Sequence, residues 1–133
     1  MESKPPRVVL VDDDADFLAI NRSIFDGEGY EVLCFSDPEE ALRSMVDAPP
    51  AAVVTDLMMG RLDSGFSLAR RIKEDSRLQR VPVIIVSGIT RRRGFDFRPL
   101  AASELADMHA DAFFDKPVDP AALIAKVKEL LGT

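Results

Sequence analysis

The sequence predicts a doubly wound α/β fold, an open parallel sheet with helices on both faces. Two observations predict it. Short apolar runs alternate with amphipathic stretches five times along 133 residues, the alternation that builds a covered parallel sheet. Three of the runs are continuously apolar and rich in Val and Ile, as strands buried on both faces require.

The apolar runs are Val8–Val11, Tyr30–Phe35, Ala51–Val54, Val83–Val86 and Ala112–Phe114. The first helical pattern puts Phe17, Ile20 and Ile24 on one face. The second opens with Asp37, Pro38 and Glu40: a cap, a proline in the first turn and a capping-box acid. Leu42, Met45 and Val46 then form its inner face. The third carries Phe66, Leu68, Ala69 and Ile72. The fourth begins after Pro99 and runs through Leu105. The fifth starts at Asp119–Pro120, buries Leu123, Ile124, Val127 and Leu131, and stops at Gly132. Right-handed crossovers make the flavodoxin-like (βα)5 three-layer sandwich, strand order 2-1-3-4-5, the expected solution.

The length fits one domain over 1–133, with 1–6 as a flexible tail. With 30% charged and 47% hydrophobic residues the chain reads as an ordinary globule. A net charge of −6 argues against bulk binding to nucleic acid or acidic lipid. No apolar stretch reaches membrane-spanning length. Residues Met1–Arg7 lack the apolar centre of a secretory signal, so the cytoplasm is the default location. The lone Cys34 reads as a buried small hydrophobe.

Chemistry-bearing residues gather at the carboxyl ends of the runs, where such sheets bind ligands. Asp12 and Asp13 follow the first run, Asp56 the third, Ser87 the fourth and Lys116 the fifth. Close carboxylates repel one another and draw in a divalent cation. A lysine and a hydroxyl beside that cation suit an anionic group such as phosphate. Each residue also has a plain reading. Asp56 could end a strand, Ser87 could serve a turn, and Lys116 could be a surface charge. Asp14 is assigned to the cap of the first helix. It is the coincidence of the others on one rim that points to a site.

The motifs V-D-D-D at Val11–Asp14, T-D-L-M-M at Thr55–Met59, V-S-G at Val86–Gly88 and D-K-P at Asp115–Pro117 resemble the receiver domain of bacterial two-component response regulators, of the stand-alone chemotaxis-regulator type. The resemblance covers Arg7 to Leu131. It implies Asp56 as phosphoacceptor, attacking a phosphohistidine. It implies Mg²⁺ held by Asp13, Asp56 and the backbone carbonyl of Met58, with Asp12 acting through water. Lys116 and Ser87 would meet the phosphoryl oxygens, Phe113 would be the switch aromatic or a plain core ring, and Lys116–Pro117 would be a candidate cis peptide.

The implied function is a phosphorylation-dependent signalling switch, not an enzyme acting on other substrates. Its partners would be a sensor histidine kinase or histidine phosphotransfer protein and a downstream protein met by the face of the fourth helix, fifth strand and fifth helix. The protein would be a monomer or weak homodimer, with no nucleic-acid or membrane partner. The alternatives are a receiver fragment of a larger hybrid kinase or multidomain regulator, a metal-dependent phosphohydrolase using the Asp12/Asp14 D-x-D register, and a pseudo-receiver that binds without phosphorylation. Three departures stand out. Gly60 replaces a usual proline, and Ser64 splits the usual Asp–Gly turn. The stretch from Ser87 to Lys116 is also longer than usual and predicts an extended loop over 88–99. Its Arg91-Arg92-Arg93 run suits an anionic partner or simple solvation, and Phe95 and Phe97 suit pinning or docking. The apolar Met58 and Ile89 beside the acceptor predict slow self-hydrolysis of a phosphorylated form.

Overall fold

The computed structural model describes residues 5–56, 64–87, 110–115 and 118–132, with backbone alone at 64–67, 87 and 115. Within them five strands form one parallel sheet: β1 Arg7–Val11, β2 Glu31–Phe35, β3 Ala52–Asp56, β4 Val83–Ser87 and β5 Ala112–Asp115. Their order is β2-β1-β3-β4-β5, the flavodoxin-like order expected. Four helices are described: α1 Ala15–Gly27, α2 Pro38–Asp47, α3 Ser64–Glu74 and α4 Pro120–Leu131. The α4 helix is the fifth helical pattern of the sequence. The fourth pattern and the 88–99 loop, with Arg91-Arg92-Arg93, Phe95 and Phe97, lie outside the described residues.

Alternate residues of each strand feed opposite faces of the sheet. Val9, Val11, Val53, Val83 and Ile85 pack with Ala41 and Met45 of α2 and Leu68, Ala69 and Ile72 of α3. Val8, Leu10, Val54, Ile84 and Val86 pack on the other side with Phe25 of α1 and Leu123, Ile124 and Val127 of α4. Two cores with a sheet between them make the three layers. The strands are apolar throughout because both of their faces are interior.

Helix ends follow local chemistry. Asp14 caps α1, its carboxylate accepting from the backbone N–H of Asp16 at 3.0 Å and of Phe17 at 3.3 Å. Asp37 caps α2 through the N–H of Glu39 at 3.1 Å, and Asp119 caps α4 through that of Ala121 at 3.1 Å. Pro follows the cap in both, where its missing N–H costs nothing. Gly132 ends α4 at φ 75°, a left-handed conformation that glycine adopts without strain. Among the described residues Glu40 makes no reciprocal capping bond, so α2 has a simple Asx cap and not the expected box.

Further differences are informative. Ile20, expected to share one apolar face of α1 with Phe17 and Ile24, is 56% exposed. The inner line instead runs Phe17–Asn21–Phe25, at i, i+4, i+8, and Asn21 is only 4% exposed. An amide therefore occupies a position that hydrophobic periodicity would give to an aliphatic residue. Cys34 is half-buried against the second core. Burial raises its thiol pKa, with Arg22 opposing and Asp26 reinforcing the shift. Pro6, within the expected tail, already accepts the Glu31 N–H at 2.9 Å.

Candidate functional site

The neighbouring positions of β1 and β3 create the site. Their register pairs Val11 with Thr55, so the next residues, Asp12 and Asp56, stand side by side at the carboxyl ends of the two strands. The Asp12 N–H donates to the Phe35 carbonyl at 3.0 Å, carrying the β1–β2 ladder one residue past Val11. The Asp12 carboxylate turns back and accepts the Asp14 N–H at 2.9 Å. That bond tightens the turn into α1 and orients Asp12 inward. Asp13 stands between them and is exposed. Asp12 is fully buried and Asp56 is 3% exposed. One carboxylate oxygen from each of Asp12, Asp13 and Asp56 lies within 4.8 Å of the others.

Three acids at that spacing repel, and two of them are out of water, so positive charge must compensate them. The donor set is oxygen only, which suits a hard cation such as magnesium over zinc. The spread of 4.8 Å is close to twice a metal–oxygen bond of about 2.1–2.6 Å. The residues present therefore fit a single divalent ion. Thr55 adds a buried hydroxyl that donates to the Asp56 carbonyl at 3.1 Å and stiffens the end of β3. The sequence reading passed over it, although a lone polar residue closing an apolar run was the available signal.

The other expected residues are reached in part. The register pairs Asp56 with Val86 and Ser87 with Asp115, so the backbone of Ser87 stands one residue beyond the level of Asp56 on the same rim. The Ser87 side chain lies outside the described residues, as do Met58, Lys116 and Pro117. Phe113 is half-buried and packs against the core shared with α2 and α3.

Residues 8–128 match the family model of the response regulator receiver domain. The chain belongs to this family. Receiver domains are signalling modules of two-component systems. They interact with histidine kinases and are generally not catalytic enzymes. The transcriptional regulatory protein PrrA of Mycobacterium tuberculosis is 38% identical over 128 residues, covering 95% of this chain and 50% of PrrA. This receiver chain spans about half the length of most curated relatives it matches, and less of others. Among solved structures, a CheY-like response regulator receiver domain protein from Methanospirillum hungatei superposes with a TM-score of 0.79 at 26% identity, covering 96% of this chain and 94% of that one. The receiver domain of the sensor histidine kinase PA1611 from Pseudomonas aeruginosa shares the fold, with a TM-score of 0.78 at 21% identity over 97% of this chain and 99% of that one. That protein holds a magnesium ion coordinated in its active-site cleft. Among the described residues of the present chain, no helix is long and apolar enough to cross a membrane.

Proposed function

We propose that this receiver is a phosphorylation-controlled switch in which Asp56 accepts a phosphoryl group from a phosphohistidine of a sensor kinase or phosphotransfer protein. The observation that carries the reading is the convergence of Asp12, Asp13 and Asp56 at the ends of β1 and β3. An Asp56 carboxylate oxygen forms the new bond to phosphorus, the phosphorus–nitrogen bond of the donor breaks, and the imidazole leaves. Asp12, Asp13 and Asp56, with the Met58 carbonyl, are the residues to hold Mg²⁺. When bound, the ion supplies the positive charge that lets a carboxylate approach a phosphoryl group. Asp12 keeps its inward orientation through the Asp14 N–H. Ser87 ends β4 and Lys116 comes next in the sequence after β5, and both are suited to hold phosphoryl oxygens and report their arrival. Phe113 sits on the strand that leads to Lys116, where a change at the pocket can reach the face outside it.

Asp14 matters for the choice among readings. A phosphohydrolase using the Asp12/Asp14 register needs Asp14 as a general acid, yet the Asp14 carboxylate accepts two helix N–H groups. A second reading has separate support. PrrA is about twice as long as this chain, so this receiver can equally serve as the input portion of a longer regulator. Its output, including contact with DNA, would then lie in the remainder. The test is phosphoryl uptake from acetyl phosphate with Mg²⁺, read by intact mass. Wild type should gain one phosphoryl group and Asp56→Asn none. Equal uptake by the variant would move the acceptor elsewhere.

A further inference from the structure

The apolar pattern of β5 fixes its register poorly. The strand has four residues and, among the described residues, lies at the sheet edge and pairs only with β4. Its central pair, Phe113 and Phe114, point to opposite faces and pack into opposite cores. A one-residue slip normally moves a hydrophobic set into solvent, and that penalty is what enforces register. Here a slip would still present one phenylalanine to each core. It would also move whatever follows the strand by about 3.3 Å, and Lys116 follows it directly.

Asp111, the residue before β5, supplies the missing pin. Its N–H donates to the Val83 carbonyl at 2.7 Å, and its carboxylate accepts the Val83 N–H at 2.8 Å. One residue thus holds both polar groups of the first residue of β4. The same carboxylate oxygen accepts from Lys73 Nζ of α3 at 2.9 Å, and Lys73 also donates to the Val81 carbonyl at 2.9 Å. Lys73 is anchored on both sides, so it holds Asp111 in place and balances its charge. The grip joins the helix after the acceptor segment to the two strands that carry Ser87 and lead to Lys116.

We propose that Asp111, oriented by Lys73, is a positioning residue for the phosphoryl pocket, setting the register of β5, the strand that Lys116 follows in sequence. The inference rests on the phosphoacceptor reading above. The test compares wild type, Asp111→Asn and Asp111→Ala at a temperature where circular dichroism shows all three fully folded. Two quantities are measured: the rate of phosphoryl uptake from acetyl phosphate with Mg²⁺, and amide hydrogen exchange at Phe113 and Phe114. Small misplacements in a reacting site cost about tenfold to a hundredfold in rate. Asp111→Ala should therefore lose at least about tenfold in uptake and lose protection in β5. Asp111→Asn keeps an oxygen for the Val83 N–H and should recover most of both. Wild-type rate and protection in fully folded Asp111→Ala would overturn the inference while leaving the phosphoacceptor reading intact. A wild type that takes up no phosphoryl group would overturn both.

Discussion

Asn21 offers a direct check on how the second core is built. Its Nδ2 donates to the Phe17 carbonyl at 2.9 Å, while its Oδ1 is buried with no donor among the described residues. A buried carbonyl without a partner costs ~1–3 kcal/mol, and the Nδ2 bond returns ~0.5–1.5 kcal/mol. Leucine branches at Cγ as asparagine does and has a higher helix propensity. Burying its side chain contributes ~1.5–3 kcal/mol, against ~1–3 kcal/mol for the added volume in a packed core. With midpoints, Asn21→Leu should stabilise the fold by ~1–2 kcal/mol, raising Tm by about 3–10 °C. Urea unfolding is the assay, with the slope unchanged and the midpoint moved up. A midpoint that falls would show that Oδ1 is satisfied or that the site cannot take the volume, and would refute the reasoning.

Two further predictions concern charge. Asp13→Asn removes one of three mutually repelling carboxylates, so in the absence of divalent ions it should melt higher than wild type. Adding Mg²⁺ at about 100 times its dissociation constant should stabilise wild type by ~2.7 kcal/mol. The variant should gain at least ~1.4 kcal/mol less, for a tenfold loss of affinity. Equal magnesium shifts in thermal melts would remove Asp13 from the ligand set. At the turn after α3, the Arg77 side chain, and then its backbone N–H, lower the Asp75 pKa. The folded pKa lies below the unfolded one, so this contribution is present above the ordinary aspartate range and is lost as pH falls through the folded value. Arg77→Gln should accordingly flatten the dependence of stability on pH below about 4, measured by urea midpoints. An unchanged acid limb would show that the pair contributes nothing.

The strands were legible because burial on both faces leaves an unbroken apolar run, as in Val8–Val11 and Val83–Val86. Helix starts were legible where an aspartate precedes a proline, since capping is a local bond. The inner face of α1 was misread at Ile20 because residues 20 and 24 share a helical stripe with almost the same spacing as 17, 21 and 25. Only packing on the sheet decides which stripe turns inward. The acids were legible as strand-end residues and Asp14 as the cap of α1, whereas the bond that orients the Asp12 carboxylate was not, because composition does not reveal it. Asp12 turns in to the Asp14 N–H, and Asp14 turns out to cap α1.

The order of residues along the polymer determined which segments are strands, which acids end them, and the family to which the receiver belongs. Those properties depend on side-chain chemistry and short-range periodicity, which a linear text carries completely. Tertiary structure alone decided the register within the expected strand order, pairing Val11 with Thr55 and so bringing Asp12 within reach of Asp56. It also decided that Asp111, far from the acids along β4 and β5, grips Val83. Proximity across a sheet is set by strand pairing between distant segments, and no local pattern encodes a distance in space.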